Sequence, residues 1–305
     1  MRTWTKQSRS FGRNNESQHP VFQAEAAPSG QTGPQRFGDS RVMSAAPLIP
    51  CRVCRAASRH VFTRTVLNRH ACDYFFCDAC GFLQTEKPHW LNEAYADAIS
   101  ALDTGILSRN IRTARTLSPL LMWMFRRDDR FLDAAGGYGL LTRLMRDRGF
   151  DYRWSDPHCE NLFAKGFEAG DEESFAAISA FEVLEHLVEP MEFIAGAIKR
   201  SDGTLVCSTE LFQETAPSPD AWWYYAFEGG QHIAFYQRRT LQYLADQLGL
   251  RLLSHRSLHL FTRRTISNAT FRMLTNPLIA YLLSPLPRLV QGSLTMTDHL
   301  ARTKG

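Results

Sequence analysis

From Arg130 onward, short apolar runs alternate with helix-like stretches, and the first run passes directly into a glycine turn. Its residues are Phe131-Leu132-Asp133-Ala134-Ala135-Gly136-Gly137-Tyr138-Gly139, followed at once by the helix-like Leu140-Leu141-Thr142. Strand-like runs fall at 130–134, 152–156, 176–182, 203–209, 251–254 and 258–262, and helix-like runs at 140–148, 191–200 and 240–248. Regular alternation of this kind leaves one economical solution, an α/β fold with a doubly wound, mostly parallel sheet covered by helices on both faces.

In such a sheet, ligands bind beyond the carboxyl ends of the strands, where the strand order reverses. The glycine turn occupies that place, because it ends the first strand and opens the first helix. Glycines there let backbone approach a ligand closely. Asp133 ends the strand, positioned to accept from the turn's amides and to face a cation. Asp156, seventeen residues after Gly139, ends the next strand, where a carboxylate can hold a ribose diol. Together these features favour an adenosine-containing ligand. A dinucleotide would want a third glycine to seat its pyrophosphate, but Leu140, Leu141 and Thr142 follow Gly139. A sulfonium ligand, cationic and without phosphate, suits the acid at position 133 better.

Charge narrows the partners. The formal net charge is +4, but Arg2, Lys6, Arg9, Arg13, Arg36 and Arg41 outnumber Glu16, Glu25 and Asp39 in the first 42 residues. The rest of the chain is close to neutral, and no nucleic-acid partner is expected. Residues 1–45, rich in Ser, Gln, Asn, Gly and Pro, are expected to be a disordered leader. Translation starting at Met43 is a second possibility. With no secretory signal, and no apolar run near the ~20 residues a membrane span needs, a cytoplasmic protein without a transmembrane segment is expected. The apolar stretch at 277–283 is cut short by Pro285 and Pro287, and reads as a core or interface helix.

Four of the seven cysteines form two C-x2-C knuckles, Cys51/Cys54 and Cys77/Cys80, with twenty-two residues between them. Each knuckle can offer two thiolates from one tight turn, and two knuckles close a tetrahedron around zinc. Four thiolates leave no open position, so the expected role is structural. Cys72, His60 and His70 lie within the same segment as possible substitutes. Gly81 suits the left-handed backbone that such turns need.

The glycine turn resembles the first motif, D-x-G-x-G-x-G, of Rossmann-like S-adenosylmethionine (SAM) dependent methyltransferases. Phe181-Glu182-Val183-Leu184-Glu185-His186-Leu187 resembles the segment that ends their fourth strand. The resemblance covers about residues 128–262 and implies SAM contacts at Asp133, Ala135, Gly137, Tyr138, Gly139, Asp156 and Glu182. Two features depart from the pattern. Ala135 stands where the first motif glycine is usual, and only eighteen residues separate Asp156 from Phe175, so the third strand is short or missing. The cysteine ribbon ahead of this fold is similar to that of sugar C-methyltransferases, which carry a histidine after the fifth strand. The matching stretch here is Gly229-Gly230-Gln231-His232-Ile233-Ala234-Phe235, with Gln231 in place of the acidic neighbour.

Methyl transfer from a sulfonium is an in-line displacement that depends on alignment, and a hydroxyl or acidic-carbon acceptor also needs a base. His232 is the expected base and His186 the second candidate, the latter more suited to fixing the cofactor loop. Trp222-Trp223-Tyr224-Tyr225 reads as an aromatic wall able to stack on a sugar or to exclude water. The expected organisation is a leader at 1–45, a zinc ribbon at 46–86, a helical linker or lid at 87–127, a SAM-binding domain at 128–265 and a helical extension at 266–305. Two functions follow. One is methyl transfer to a small-molecule acceptor such as a sugar, nucleotide-sugar or glycan; the other is a non-catalytic zinc-ribbon binding protein on a Rossmann-like scaffold.

Overall fold

The cysteine segment forms an antiparallel meander of β1 (Leu48–Pro50), β2 (Ala57–Val66), β3 (His70–Phe76) and β4 (Leu83–Thr85). The two knuckles are its β1–β2 and β3–β4 turns. Arg55 and Gly81 adopt φ of 65° and 78°, which lets their amides donate back to the carbonyls of Cys51 and Cys77 at 2.9 and 2.8 Å. The computed structural model describes residues 48–96 and 103–303. The expected leader and Met43 lie outside the described residues, as does part of the expected helical linker at 87–127, in which α1 (Leu91–Ala94) is described.

After α2 (Ile106–Met124), the chain builds the second sheet from β5 (Arg130–Ala134), α3 (Leu140–Arg146), β6 (Asp151–Ser155), β7 (Ala177–Ala180), α4 (Pro190–Lys199) and β8 (Thr204–Ser208). The two-residue β9 (Ala234–Phe235), α5 (Arg238–Gln247), β10 (Arg251–His255) and β11 (Leu258–Thr262) follow. The six-stranded order is β10-β11-β8-β7-β5-β6. The pairs β6–β5, β5–β7 and β7–β8 are parallel, whereas β11 runs antiparallel to both β8 and β10. The order reverses between β5 and β7, so the crevice at their carboxyl ends is the expected ligand position.

Alternation along the strands divides the core. Leu132, Ile178, Leu205 and Phe261 pack with Ile194 of α4 and Leu241 and Leu244 of α5. Their neighbours Phe131, Ala177, Val206 and Leu260 pack instead with Leu117 of α2, Leu141 of α3 and Phe271. Period-two side-chain direction is what sorts these pairs to opposite faces. The third strand is reduced to one parallel bridge between Trp154 and Glu168, as the short Asp156–Phe175 interval requires.

The cysteine sheet does not end with β4. Leu83 and Gln84 pair with Phe235 and Ala234 of β9, and Cys51, Cys77 and Cys80 share the core of Leu132 and Ile178. The carboxyl-terminal residues form α6 (Asn268–Leu274), α7 (Pro277–Leu283), α8 (Leu286–Gln291) and α9 (Thr295–Thr303). Ser267 and Asn276 cap α6 and α7 by accepting from Thr270 and Leu278 amides at 3.0 Å each. Among the described residues, no helix is long and apolar enough to cross a membrane.

Candidate active site

The four knuckle cysteines converge, with all their Sγ atoms within 4.8 Å of one another. Cys51 and Cys80 are 3.6 Å apart, and Cys54 and Cys77 3.4 Å. Thiolates about 2.3 Å from a tetrahedral zinc lie about 3.8 Å from each other, so the spacing fits that ion. The Cys80 thiol lowers the pKa of Cys51 by hydrogen bonding to its thiolate. The substitutes named from sequence are engaged elsewhere: His60 with Asp73, His70 with Glu93, and Cys72 in the core of Tyr74 and Phe76.

At the glycine turn, three residues adopt left-handed backbone: Ala135 at φ 53°, Gly137 at 54° and Gly139 at 82°. A Cβ on Gly139 would come within 2.7 Å of Asn161 Oδ1 and 3.1 Å of the Ala164 amide nitrogen, so that turn needs glycine on two counts. The turn is held from the β6 side. Asp156 Oδ2 accepts from the Gly137 amide at 2.8 Å, while Trp154 Nε1 donates to the Gly137 carbonyl at 2.9 Å. The Tyr138 carbonyl accepts from the Leu162 and Phe163 amides, both at 3.0 Å. Asp156 Oδ1 also accepts from the amides of His158 and Cys159 at 2.8 and 2.9 Å.

Asp133 departs from its expected role. It is buried and accepts from the hydroxyls of Ser179 and Thr142 at 3.1 and 3.4 Å, not from amides of the turn. Burial pushes its carboxyl up to about 7, and the charge of Asp156 adds to the rise. It braces the end of β5 against β7 and α3.

Beyond β7, Glu182 takes a left-handed backbone at φ 56°. Its amide donates to Ser208 Oγ at 2.9 Å, and that hydroxyl donates to Glu182 Oε1 at 2.6 Å. A 3₁₀ turn, Leu184–His186, then carries Glu185 and His186. The loop after β8 brings His232 onto this turn, with the two imidazole rings 4.9 Å apart and perpendicular. His232 Nδ1–H donates to the Tyr224 carbonyl at 2.7 Å, which leaves the Nε2 lone pair free. Burial lowers the pKa of His232, and it lowers that of His186 to about 3 with help from the neighbouring His232. Both rings are therefore neutral near pH 7.

Residues 106–255 match a family model described as "Methyltransferase domain". That stretch is a methyltransferase domain. The match bears out the resemblance to SAM-dependent methyltransferases. No curated protein matches the chain. Among solved structures, it is similar to TnmH at 16% identity and a TM-score of 0.43, covering 57% of this chain and 60% of that one. It is also similar to an O-methyltransferase family 2 protein from Planctomyces limnophilus in complex with apigenin, at 16% identity, TM-score 0.42 and coverage of 56% and 66%. An O-methyltransferase family protein from Burkholderia thailandensis aligns at 13% identity, TM-score 0.44 and coverage of 58% and 64%. The chain thus spans less than two thirds of the length of each.

Two features of the methyltransferase domain were not visible in sequence. Glu185 is fully buried; neither carboxylate oxygen makes a well-formed hydrogen bond among the described residues, and the Tyr224 and Thr209 hydroxyls acting on it from nearby offset only part of that burial. Burial, followed by the charge of Glu182, raises it to about 8. Nothing in the local sequence pattern marks this acid as buried. The second is the seating of α1. Trp90 Nε1 donates to the Gly230 carbonyl at 2.8 Å, and Gln231 Nε2 donates to the Ala94 carbonyl at 2.7 Å. Gln231, at the position of the missing acid, therefore fastens a helix. The aromatic wall is mostly core: Tyr224 and Tyr225 are buried against Trp222 and Phe235. Trp223, 76% exposed, is the member that faces solvent.

Proposed function

We propose that this chain transfers a methyl group from SAM to a hydroxyl of a small acceptor, a sugar, nucleotide-sugar or glycan, with a structural zinc held by Cys51, Cys54, Cys77 and Cys80. The observation that carries the reading is the 2.8 Å contact between Asp156 and the Gly137 amide. It joins the acid suited to a ribose diol to the turn suited to close backbone approach, at the reversal point between β5 and β7. When bound, SAM supplies an electrophilic methyl on a sulfonium. Asp156 would hold the ribose hydroxyls, and the backbone at Ala135, Gly137, Tyr138 and Gly139 would line the approach. Glu182, clipped by Ser208, would face the amino-acid end, with Asp133 supporting from behind.

On the acceptor side, His232 is suited to take the hydroxyl proton at Nε2, since burial keeps the ring neutral and the Tyr224 carbonyl fixes its tautomer. His186 packs edge-on against that ring and restrains it. Trp223 offers an exposed aromatic face to a sugar ring. Titration calorimetry with SAM and with S-adenosylhomocysteine tests the reading, using the whole chain and Asp156→Ala. Binding by the whole chain, weakened at least tenfold by the substitution, is the expected result. No heat from a folded wild-type protein refutes the cofactor assignment. Transfer of labelled methyl to a panel of hydroxylated sugars tests the acceptor class separately.

A further inference from the structure

We propose that Glu185, His186 and His232 form a binding site for one divalent cation of the Mn²⁺, Fe²⁺ or Co²⁺ type. The proposal rests on the methyltransferase reading for its purpose, though not for its geometry. One donor atom from each of the three residues lies within 4.8 Å of the other two. Glu185 is fully buried, neither of its carboxylate oxygens nor His186 Nδ1 makes a well-formed hydrogen bond among the described residues, and the Tyr224 and Thr209 hydroxyls that act on Glu185 from nearby bond each other at 3.2 Å. Groups of this kind are costly to bury unless something binds them.

Among the described residues, the nearest cation is already engaged. Arg109, whose charge acts on Glu182 and Glu185, is committed to Asp103 through two hydrogen bonds of 3.0 and 2.5 Å. Glu182 adds a second acid whose charge acts on both Glu185 and His232. Two acids and two neutral imidazoles, with no committed positive charge among them, are a donor set suited to a divalent metal.

The supporting contacts also match a metal centre. His232 Nδ1–H is held by the Tyr224 carbonyl, the arrangement that orients a ligating imidazole and directs Nε2 toward a metal. The two loops are tied together by backbone. The Ile233 amide donates to the Glu185 carbonyl at 2.8 Å, and the Tyr236 hydroxyl donates to the Leu184 carbonyl at 2.7 Å. Three protein donors leave positions open for oxygen ligands. An acceptor hydroxyl bound there would have its pKa lowered and would release its proton to solvent, with His232 as ligand in place of base. The nitrogen-and-carboxylate set also separates this site from the cysteine cluster, whose thiolates select zinc.

Mn²⁺ is the probe, because four thiolates suit it poorly and its free ion is counted directly by electron paramagnetic resonance. The zinc-loaded full chain should bind one Mn²⁺. Glu185→Gln, and His232→Asn, whose amide can still donate to Tyr224, should each weaken binding at least tenfold while melting cooperatively. Absence of Mn²⁺ binding by the wild type overturns the proposal, as does unchanged binding in both folded variants. Should Glu185→Gln fail to fold, His186→Asn replaces it under the same criterion. SAM titration of the same samples keeps the two ideas apart. Mn²⁺ binding without SAM binding sinks the function and spares the cation site; SAM binding without Mn²⁺ does the reverse.

Discussion

Arg146 of α3 and Asp298 of α9 meet as a buried two-pronged ion pair, with Nε and Nη2 donating at 2.9 and 2.7 Å across 152 residues of chain. The same guanidinium reaches Asp151 at 2.5 Å and stacks 3.7 Å from the Phe167 ring centre. The last helix is thereby fastened to the helix that follows the glycine turn. Asp298→Ala should destabilise the chain by about 3 kcal/mol, because it strands much of a buried charge. Replacing both partners by apolar residues of similar volume should cost less. Urea unfolding of the three proteins decides it, and equal stability of the wild type and Asp298→Ala would show the pair to be idle.

Ala135 holds φ at 53°, a region that costs a residue with a Cβ about 1 kcal/mol relative to glycine. Ala135→Gly should therefore leave stability unchanged or raise it by up to about 1 kcal/mol, without loss of SAM affinity. Gly137→Val acts in the opposite direction, forcing a branched side chain into left-handed backbone at the proposed cofactor contact. Calorimetry should find SAM binding abolished in a protein that still melts cooperatively. Retained affinity would remove Gly137 from the site.

The buried Asp133 makes stability depend on pH. Its carboxyl is raised to about 7 in the folded chain against 3.8 for an ordinary aspartate. Between those values the native state keeps a proton that the unfolded chain has released, so stability falls as pH rises through the interval and is level above it. Asp133→Asn cannot ionise. Its stability relative to the wild type should improve between pH 4 and 7 by on the order of 3 kcal/mol. Parallel pH profiles for the two proteins would contradict the raised value.

Zinc should be present at one per chain in freshly purified protein, by elemental analysis. Because Cys51, Cys77 and Cys80 sit in the core shared with Leu132 and Ile178, stripping the metal should lower the melting temperature of the main transition. Loss confined to a separate, minor transition would mean that the cysteine sheet is energetically independent.

His232→Ala should reduce turnover by roughly 10² to 10⁴, the usual range for a group that activates an acceptor, and should leave SAM affinity nearly unchanged. Turnover close to wild type would place activation elsewhere.

The β/α alternation, the glycine turn and both C-x2-C knuckles were legible in the sequence because each is a short-range pattern. Strand period, left-handed turns and paired thiols are set by residues a few positions apart, and β5 falls at 130–134 as the apolar run indicates. The reduced third strand was legible too, since eighteen residues cannot hold a helix and a strand. Asp133 and the Tyr224–Tyr225 pair read differently in sequence, and the burial of Glu185 left no mark there. A side chain's burial depends on what packs over it, which no local period records. Only the tertiary structure joined β9 to β4, drew His232 onto His186 and set Asp298 against Arg146. Those contacts bring together segments separated by dozens of residues, held by main-chain pairing and desolvated charge that appear only once the chain has closed on itself.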